Sequence, residues 1–278
     1  MEIGARLHHL QLLSSDVDKC AAFYETVYGM PVRAEGSIRI CTARDRRLII
    51  APGPSNRLGF AAYGFSSDVV LESYRRMVEA RIAVASASSL LFRSNAFMVT
   101  DPDGNKIVFG AAETNAASDD PQVQEQLPAR LQHFAVRSSD PSKLIPFYRD
   151  VLGFIISDRV YDDAGQVRAC FLRTDSEHHA LAIFHAADAR HDHLSFETAD
   201  WWKLRDWADR ISQFGVPIVW GIGRHGPGND AFFMVRDPDG NLAEISTELE
   251  VCESTRNEGT WRHEERTLNL WGGAIMRS

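Results

Sequence analysis

The chain repeats its own sequence, and this repeat constrains the fold more than any other feature of its 278 residues. Residues 6–16 match residues 130–140, which lie 124 positions later. Residues 97–105 match residues 233–241 at the slightly longer spacing of 136 positions. Because the two matches occur in the same order, they predict two homologous halves.

A polar stretch separates the halves. Residues 114–128 lack any apolar period and end in proline, which is typical of a surface linker. We therefore expect an N-terminal domain over residues 1–115, a C-terminal domain over residues 129–250 and a tail over residues 251–278.

A weaker sequence similarity inside each half predicts two smaller modules. Residues 192–200 show the same order of strand and acidic residue as residues 131–140. A capping residue before proline, at Ser139 or Asp140, and a second one at Asp200 before two tryptophans predict helix starts. Each module therefore begins with a strand and a helix.

Three short strands are expected after each helix. Residues 237–240, with the sequence Asp-Pro-Asp-Gly, predict a type I turn that joins two antiparallel strands. The repeating unit is therefore predicted to be βαβββ, and the fold class α+β.

Composition excludes several classes of function. A net charge of -8 and a sequence pI near 5.7 disfavour nucleic acid and anionic membranes as partners, since both require a basic surface. The first residues lack the features of a signal peptide and no stretch reaches transmembrane length, so we expect a cytoplasmic protein. Four cysteines without CxxC spacing are expected to be free thiols. The expected partner is a small molecule.

Three residues suggest a metal site. His133 and His193 each fall in the middle of a predicted first strand. Glu244 falls in a largely apolar strand, where an ionised carboxylate is costly to bury without a cationic partner. Taken singly, a strand histidine is more often a hydrogen-bonded core residue, and the glutamate could face solvent at a sheet edge.

These residues and the repeated module resemble the extradiol ring-cleaving dioxygenases of the vicinal oxygen chelate superfamily, over roughly residues 5–250. The resemblance implies four modules paired into two open barrels. It implies one Fe(II), or Mn(II), held by His133, His193 and Glu244, a ligand set that suits non-haem iron and leaves positions open. It also implies that O2 and a small aromatic diol are the substrates, and we expect a homo-oligomer.

The first half provides an internal comparison for this ligand set. Its repeat retains His9 at the position of His133. The positions of the other two ligands fall near Ala61 and Phe109, neither of which binds metal. The N-terminal half is therefore predicted to lack a metal and to have a structural role.

Two further histidines gain roles from the same resemblance. His179, which lies 14 residues before His193, matches a histidine beside the bound oxygen and is expected to act as an acid. Its pairing with His178 could instead mark a wet strand end. His225, which lies 19 residues before Glu244, is expected to hydrogen-bond a substrate oxygen, although its glycine-rich setting alone suggests a flexible loop.

The same resemblance implies that Ala135, Phe171 and Met234 line the substrate cavity, which favours an apolar-substituted catechol. Met234 stands where the family usually has a tyrosine, and a thioether cannot donate a hydrogen bond. Trp220 stands near the position where some relatives have an arginine. The tail is expected to cover the cavity mouth, to lie at a subunit interface, or simply to pack on the fold.

Two other functions fit the same residues. One is a metal-dependent isomerisation, epimerisation or ring opening of a substrate that is not a catechol, which Met234 favours. The other is a protein that sequesters a small aromatic compound in a metal-free cavity, which the full ligand set disfavours.

Overall fold

Two mixed β-sheets form the framework of the protein, for which a computed structural model describes residues 2–112 and 127–277. The first sheet contains β1 (Arg6–Ser14), β2 (Val32–Glu35), β3 (Ile38–Thr42), β4 (Arg47–Pro52), β5 (Arg57–Phe65), β6 (Ala85–Ser86), β7 (Phe97–Thr100) and β8 (Lys106–Ala111). The second contains β9 (Arg130–Ser138), β10 (Ile155–Tyr161), β11 (Val167–Arg173), β12 (Leu181–His185), β13 (Arg190–Glu197), β14 (Trp220–Arg224), β15 (Ala231–Arg236), β16 (Leu242–Thr247) and β17 (Gly259–Arg262).

One helix follows the first strand of each module. The helices are α1 (Val17–Thr26), α2 (Asp68–Glu79), α3 (Pro141–Pro146), which continues into a π-helical turn over Phe147–Val151, and α4 (Trp201–Gln213). A short fifth helix, α5 (Glu265–Leu268), lies in the tail. This element order confirms the predicted βαβββ unit in all four modules.

The strand order shows how the modules pair. It is β2-β3-β4-β1-β5-β8-β7-β6 in the first sheet and β14-β15-β16-β13-β9-β12-β11-β10-β17 in the second. In each half the first strands of two modules lie side by side and antiparallel, as β1 with β5 and β9 with β13. The predicted α+β fold of two paired halves is confirmed.

The predicted helix and turn signals are found in place. Asp140 is the N-cap of α3 with Pro141 in the first turn, and the Asp200 side chain accepts from the backbone N–H of Lys203 at 2.9 Å. In the predicted turn, the backbone N–H of Gly240 donates to the carbonyl of Asp237 at 3.0 Å. This turn sets β15 against β16, on which Glu244 lies.

Aromatic side chains hold the two halves together. Tyr28 from the first half packs against Phe196 and Trp207 of the second, with ring centroids 5.4 and 5.9 Å apart. Tyr63 contacts Phe134 in the same way at 6.4 Å. Each buried ring of this kind stabilises the fold by about 2–3 kcal/mol, so the halves form one packed body.

The tail docks on the second half. β17 pairs in parallel with β10 at the edge of the nine-stranded sheet. Most of the predicted linker, residues 114–126, lies outside the described residues, so the domain limits stay predictions. Cys20, Cys41, Cys170 and Cys252 are free and buried, as expected. Among the described residues, no helix has the length and apolarity needed to cross a membrane.

Candidate metal centre

Three neighbouring strands of the second sheet bring the predicted ligands together. His133 lies on β9, His193 on β13 and Glu244 on β16, and β13 is paired with the other two strands. The Nε2 atoms of the histidines are 3.2 Å apart, and Nε2 of His193 is 3.9 Å from Oε2 of Glu244. All three ligand atoms lie within 4.8 Å of one another, so one ion can reach all of them.

Hydrogen bonds fix which ring nitrogen faces the centre. Gln132 donates through Nε2 to the carbonyl of His179 at 2.7 Å, which turns its Oε1 towards Nδ1 of His133 at 2.5 Å. Nδ1 of His193 lies 2.7 Å from Oδ1 of Asp192. Because both acceptors require an N–H at Nδ1, both Nε2 atoms carry lone pairs directed into the same space.

The charges at this centre fit a cation. Burial lowers the pKa of His133 to about 3, so its imidazole is neutral at physiological pH. Burial alone would raise the pKa of Glu244, but the nearby ring of His225 and the other neighbouring imidazoles outweigh it and bring the pKa to about 2. Oε2 of Glu244 is buried without a hydrogen-bond partner among the described residues. A metal ion bound here would be coordinated by the two Nε2 lone pairs and by the carboxylate oxygen that lacks a hydrogen bond.

The equivalent positions of the first half hold no such set. His9 is buried, and its Nε2 is 2.6 Å from Oγ of Ser89. In the strand register, His9 is opposite Ala62 just as His133 is opposite Ser195. Phe60 therefore occupies the position of His193, and Val108 occupies the position of Glu244. The sequence-based assignments near Ala61 and Phe109 each lie one residue from these positions. The conclusion that this half lacks the ligand set is unchanged.

A cavity opens beside the three ligands. Its lining includes the two ligand histidines, both further histidines, and apolar side chains from the sheet and the tail: His133, Phe171, His179, Ala182, Phe184, His193, Trp220, His225, Pro227, Met234, Leu268 and Arg277. Ala135, the third expected lining residue, packs in the same apolar cluster as Phe171 and Met234 but does not reach the cavity surface. The cavity therefore combines an apolar wall with a polar end at the ligands.

His179 lies beside His133, and His225 lies beside Glu244. The ring of His179 is buried, and its centroid lies 4.3 Å from that of His133. His225 stacks on Phe232 with centroids 3.7 Å apart, and its Nε2 is 4.0 Å from Oε2 of Glu244. Both rings face the cavity, so both are within reach of a ligand held there.

Met234 is completely buried and is the register partner of Glu244 across β15 and β16. Its thioether lines the cavity immediately beside the ligands. No hydrogen-bond donor is therefore provided at this position.

The tail contributes a cavity residue that the sequence did not reveal. Arg277 is 8% exposed, and its guanidinium lies over Phe184 and Trp220 at 4.5 and 4.9 Å from the ring centroids. Its Nη2 donates to Oδ1 of Asp192 at 2.9 Å. Leu268 and Arg277 of the tail line the cavity, while β17 packs on the edge of the sheet, and a role at a subunit interface stays a prediction. The tail lies outside the repeat, so no pattern in the sequence pointed to this contact.

Comparisons with known proteins agree with this geometry. The model of the Glyoxalase/Bleomycin resistance protein/Dioxygenase superfamily matches residues 6–109 and 130–245. Metapyrocatechase 2 of Cupriavidus necator is 31% identical over 54% of this chain, and the match spans about half, 52%, of that relative. Biphenyl-2,3-diol 1,2-dioxygenase of Paraburkholderia xenovorans (strain LB400) is 28% identical over 84% of this chain and 82% of its own length.

Solved structures show the same fold. Homoprotocatechuate 2,3-dioxygenase from Brevibacterium fuscum, in complex with 3,4-dihydroxyphenylacetate, has a TM-score of 0.82 at 21% identity. The similarity covers 98% of this chain and 89% of that one. The arrangement of all four modules is therefore shared.

Proposed function

The chain belongs to the Glyoxalase/Bleomycin resistance protein/Dioxygenase superfamily, and we propose that within it the chain is an extradiol dioxygenase that uses Fe(II) and O2 to cleave a catechol-like aromatic diol. The observation that carries the proposal is the convergence of His133, His193 and Glu244 beside a largely apolar cavity. The names of the relatives, a metapyrocatechase and a biphenyl-diol dioxygenase, support the same reaction.

Ferrous iron suits this ligand set, because two histidines and one carboxylate are the ligands of many non-haem Fe(II) oxygenases. Two imidazoles and one carboxylate leave coordination positions free, and iron bound there supplies the redox chemistry that links a diol to O2. A relative from Geobacillus genomosp. 3 is named a manganese-dependent 2,3-dihydroxybiphenyl 1,2-dioxygenase, so Mn(II) is the alternative ion. Mn(II) accepts the same ligands with lower intrinsic affinity.

The two cavity histidines are suited to different tasks. Burial holds the pKa of His179 well below its usual range, so the ring is neutral and one of its nitrogens carries a lone pair. Burial alone would lower the pKa of His225, but Asp230 and Glu244 outweigh it and raise the pKa. We assign His179 to proton transfer and His225 to donating a hydrogen bond to a substrate oxygen.

The cavity walls favour an apolar substituent on the diol. Phe171, Phe184 and Met234 offer no polar group to a ligand. The cation that lines the cavity, Arg277, is already paired with Asp192. A substituent without charge therefore fits this wall best, because a carboxylate would have to compete with Asp192 for the guanidinium.

The proposal is tested by turnover. The protein is loaded anaerobically with Fe(II), mixed with catechol, 3-methylcatechol or 2,3-dihydroxybiphenyl, and exposed to O2. A yellow ring-opened product with one O2 consumed per diol is the expected result, and Glu244→Ala is expected to abolish it. A protein that binds iron yet leaves every diol intact would contradict the proposal.

Met234 supports a second candidate. A metal-dependent isomerisation or ring opening of a substrate other than a catechol would not need a hydroxyl at this position. Iron binding without diol cleavage is the outcome that would favour it. Failure to bind any divalent metal would instead favour a small-aromatic binding protein. Assembly as a homo-oligomer stays a prediction.

A further inference from the structure

A buried chain of three side chains runs away from the cavity behind His179. Nδ1 of His179 is 3.0 Å from Nδ1 of His178, and Nε2 of His178 is 3.0 Å from Oδ2 of Asp158. All three side chains are almost completely enclosed, with exposed fractions of 3%, 0% and 1%. The wet strand end considered for the two histidines is therefore wrong, because neither ring reaches solvent.

The carboxylate sets the direction of every hydrogen bond in this chain. An ionised carboxylate only accepts, so Nε2 of His178 carries the proton that it donates to Asp158. In the neutral imidazole the other nitrogen, Nδ1, then has a lone pair. The donor between the two histidines is therefore Nδ1–H of His179. This leaves the Nε2 lone pair of His179 for the cavity.

Residues of the tail hydrogen-bond to the Asp158 carboxylate. Arg256 donates through Nη2 to Oδ1 of Asp158 at 2.9 Å, and the indole N–H of Trp261 donates to Oδ2 at 2.8 Å. A side chain at Gly259 would collide with the same carboxylate, since a Cβ there would lie 2.2 Å from Oδ1. Arg256, which also pairs with Glu250 at 2.6 Å, and Trp261 together stabilise the ionised carboxylate of Asp158.

We propose that Asp158 and His178 are positioning residues that hold His179 in one tautomer, with hydrogen on Nδ1 and a lone pair on Nε2 facing the cavity. This inference rests on the proposed function, in which His179 receives a proton from the substrate. A ring free to exchange tautomers would present the wrong nitrogen edge for part of the time, whereas a fixed ring is ready at every turnover.

The first half contains another pair of adjacent histidines, at the positions of Gln132 and His133, that lacks the carboxylate. Nδ1 of His8 is 2.8 Å from Nδ1 of His9, so two adjacent histidines meet there in the same way. Among the described residues, no carboxylate hydrogen-bonds to His8. His8→Leu therefore removes a histidine ring with a similar histidine contact from the half without the ligand set and serves as the control.

The first test reads the tautomer directly. Protein with ¹⁵N-labelled histidine is loaded with Zn(II), a diamagnetic substitute for iron, and the His179 signals are assigned from their loss in His179→Gln. Wild type and His8→Leu are expected to show a protonated Nδ1 and an unprotonated Nε2. In His178→Leu the proton is expected to shift partly or wholly to Nε2. Unchanged His179 signals in His178→Leu would overturn the proposal.

The second test reads turnover of catechol by the iron-loaded protein. His178→Leu is expected to lower kcat by ~10- to 100-fold with KM within about twofold. His178→Gln, whose amide can donate to Asp158 and accept from His179, is expected to recover most of that loss. Equal losses in the two variants would overturn the proposal. If wild type does not cleave catechol, the proposed function fails, while the NMR result still decides the tautomer.

Discussion

The guanidinium of Arg277 and the carboxylate of Asp192 form a buried ion pair directly behind a metal-ligand histidine. Nη2 of Arg277 is 2.9 Å from Oδ1 of Asp192, and that same oxygen is the one bonded to Nδ1 of His193. Arg137 holds the other oxygen at 2.6 Å. Burial alone would raise the pKa of Asp192, but Arg277 and His193 outweigh it and hold the pKa well below its usual range. The tail therefore takes part in orienting His193.

Arg277→Met is expected to weaken metal binding by ~10- to 100-fold, since it removes a partner of the residue that orients a ligand. Competition with a calibrated chelator measures the affinity for Fe(II) or Zn(II). Arg266→Met, a change at an exposed position of the same tail, is the matched control and should leave the affinity unchanged. An affinity for Arg277→Met equal to that of wild type would show that Arg137 alone suffices.

His179→Ala is expected to keep its iron and lose kcat by about 10²- to 10⁴-fold, the usual contribution of a positioned acid or base. The ring contacts His133 but does not belong to the ligand set. Iron content by mass spectrometry and steady-state rates with catechol are the measurements. Loss of iron in proportion to activity would show that the ring serves the metal rather than the proton.

Met234→Tyr is expected to raise kcat/KM for catechol by about 10-fold. One hydrogen bond to a charged oxygen contributes about 1.5 kcal/mol, which corresponds to that factor. Met234→Phe adds the same ring without the hydroxyl and isolates the hydrogen bond from the change in packing. If phenylalanine gave the same gain as tyrosine, packing would be the cause.

Stability is expected to fall at mildly acidic pH, in part through His8. Burial and Arg47 lower the pKa of His8 from 6.5 to about 3 in the folded protein. Below pH 6.5 the His8 imidazole therefore binds a proton in the unfolded chain but stays neutral in the folded chain. The free energy of unfolding consequently decreases as the pH falls towards 3.

Urea titrations at pH 7.5 and pH 5 measure this effect. His8→Leu is expected to lose about 1–2 kcal/mol less than wild type between the two pH values, since each pKa unit corresponds to about 1.4 kcal/mol and the ring is partly exposed. Leu10→Val, on the same strand, should lower stability equally at both pH values. An identical pH dependence in wild type and His8→Leu would rule out the lowered pKa of His8.

The repeat made most of the fold predictable. Two copies of one module pattern fixed the element order, and the caps at Asp140 and Asp200 located two helix starts. His133, His193 and Glu244 could be placed on first and last strands because strand identity followed from the repeat. Their convergence follows from β13 lying between β9 and β16.

Contacts that depend on packing across the chain were not predictable. Arg277 and Asp192 lie 85 positions apart, and nothing in the repeat refers to the tail. Asp158 looks like an ordinary polar residue of an edge strand until β17 covers it. Ala135 was expected in the cavity wall, yet strand alternation alone does not determine which apolar residues reach a cavity surface.

Metal stoichiometry tests the central claim most directly. Anaerobic titration with Fe(II), followed by desalting and metal analysis, is predicted to give one iron per chain for wild type and for His9→Ala, which alters only the first half. Glu244→Ala is predicted to retain less than about a tenth of that amount, since one of three ligands is lost. Wild type without iron, or Glu244→Ala with a full equivalent, would contradict the account.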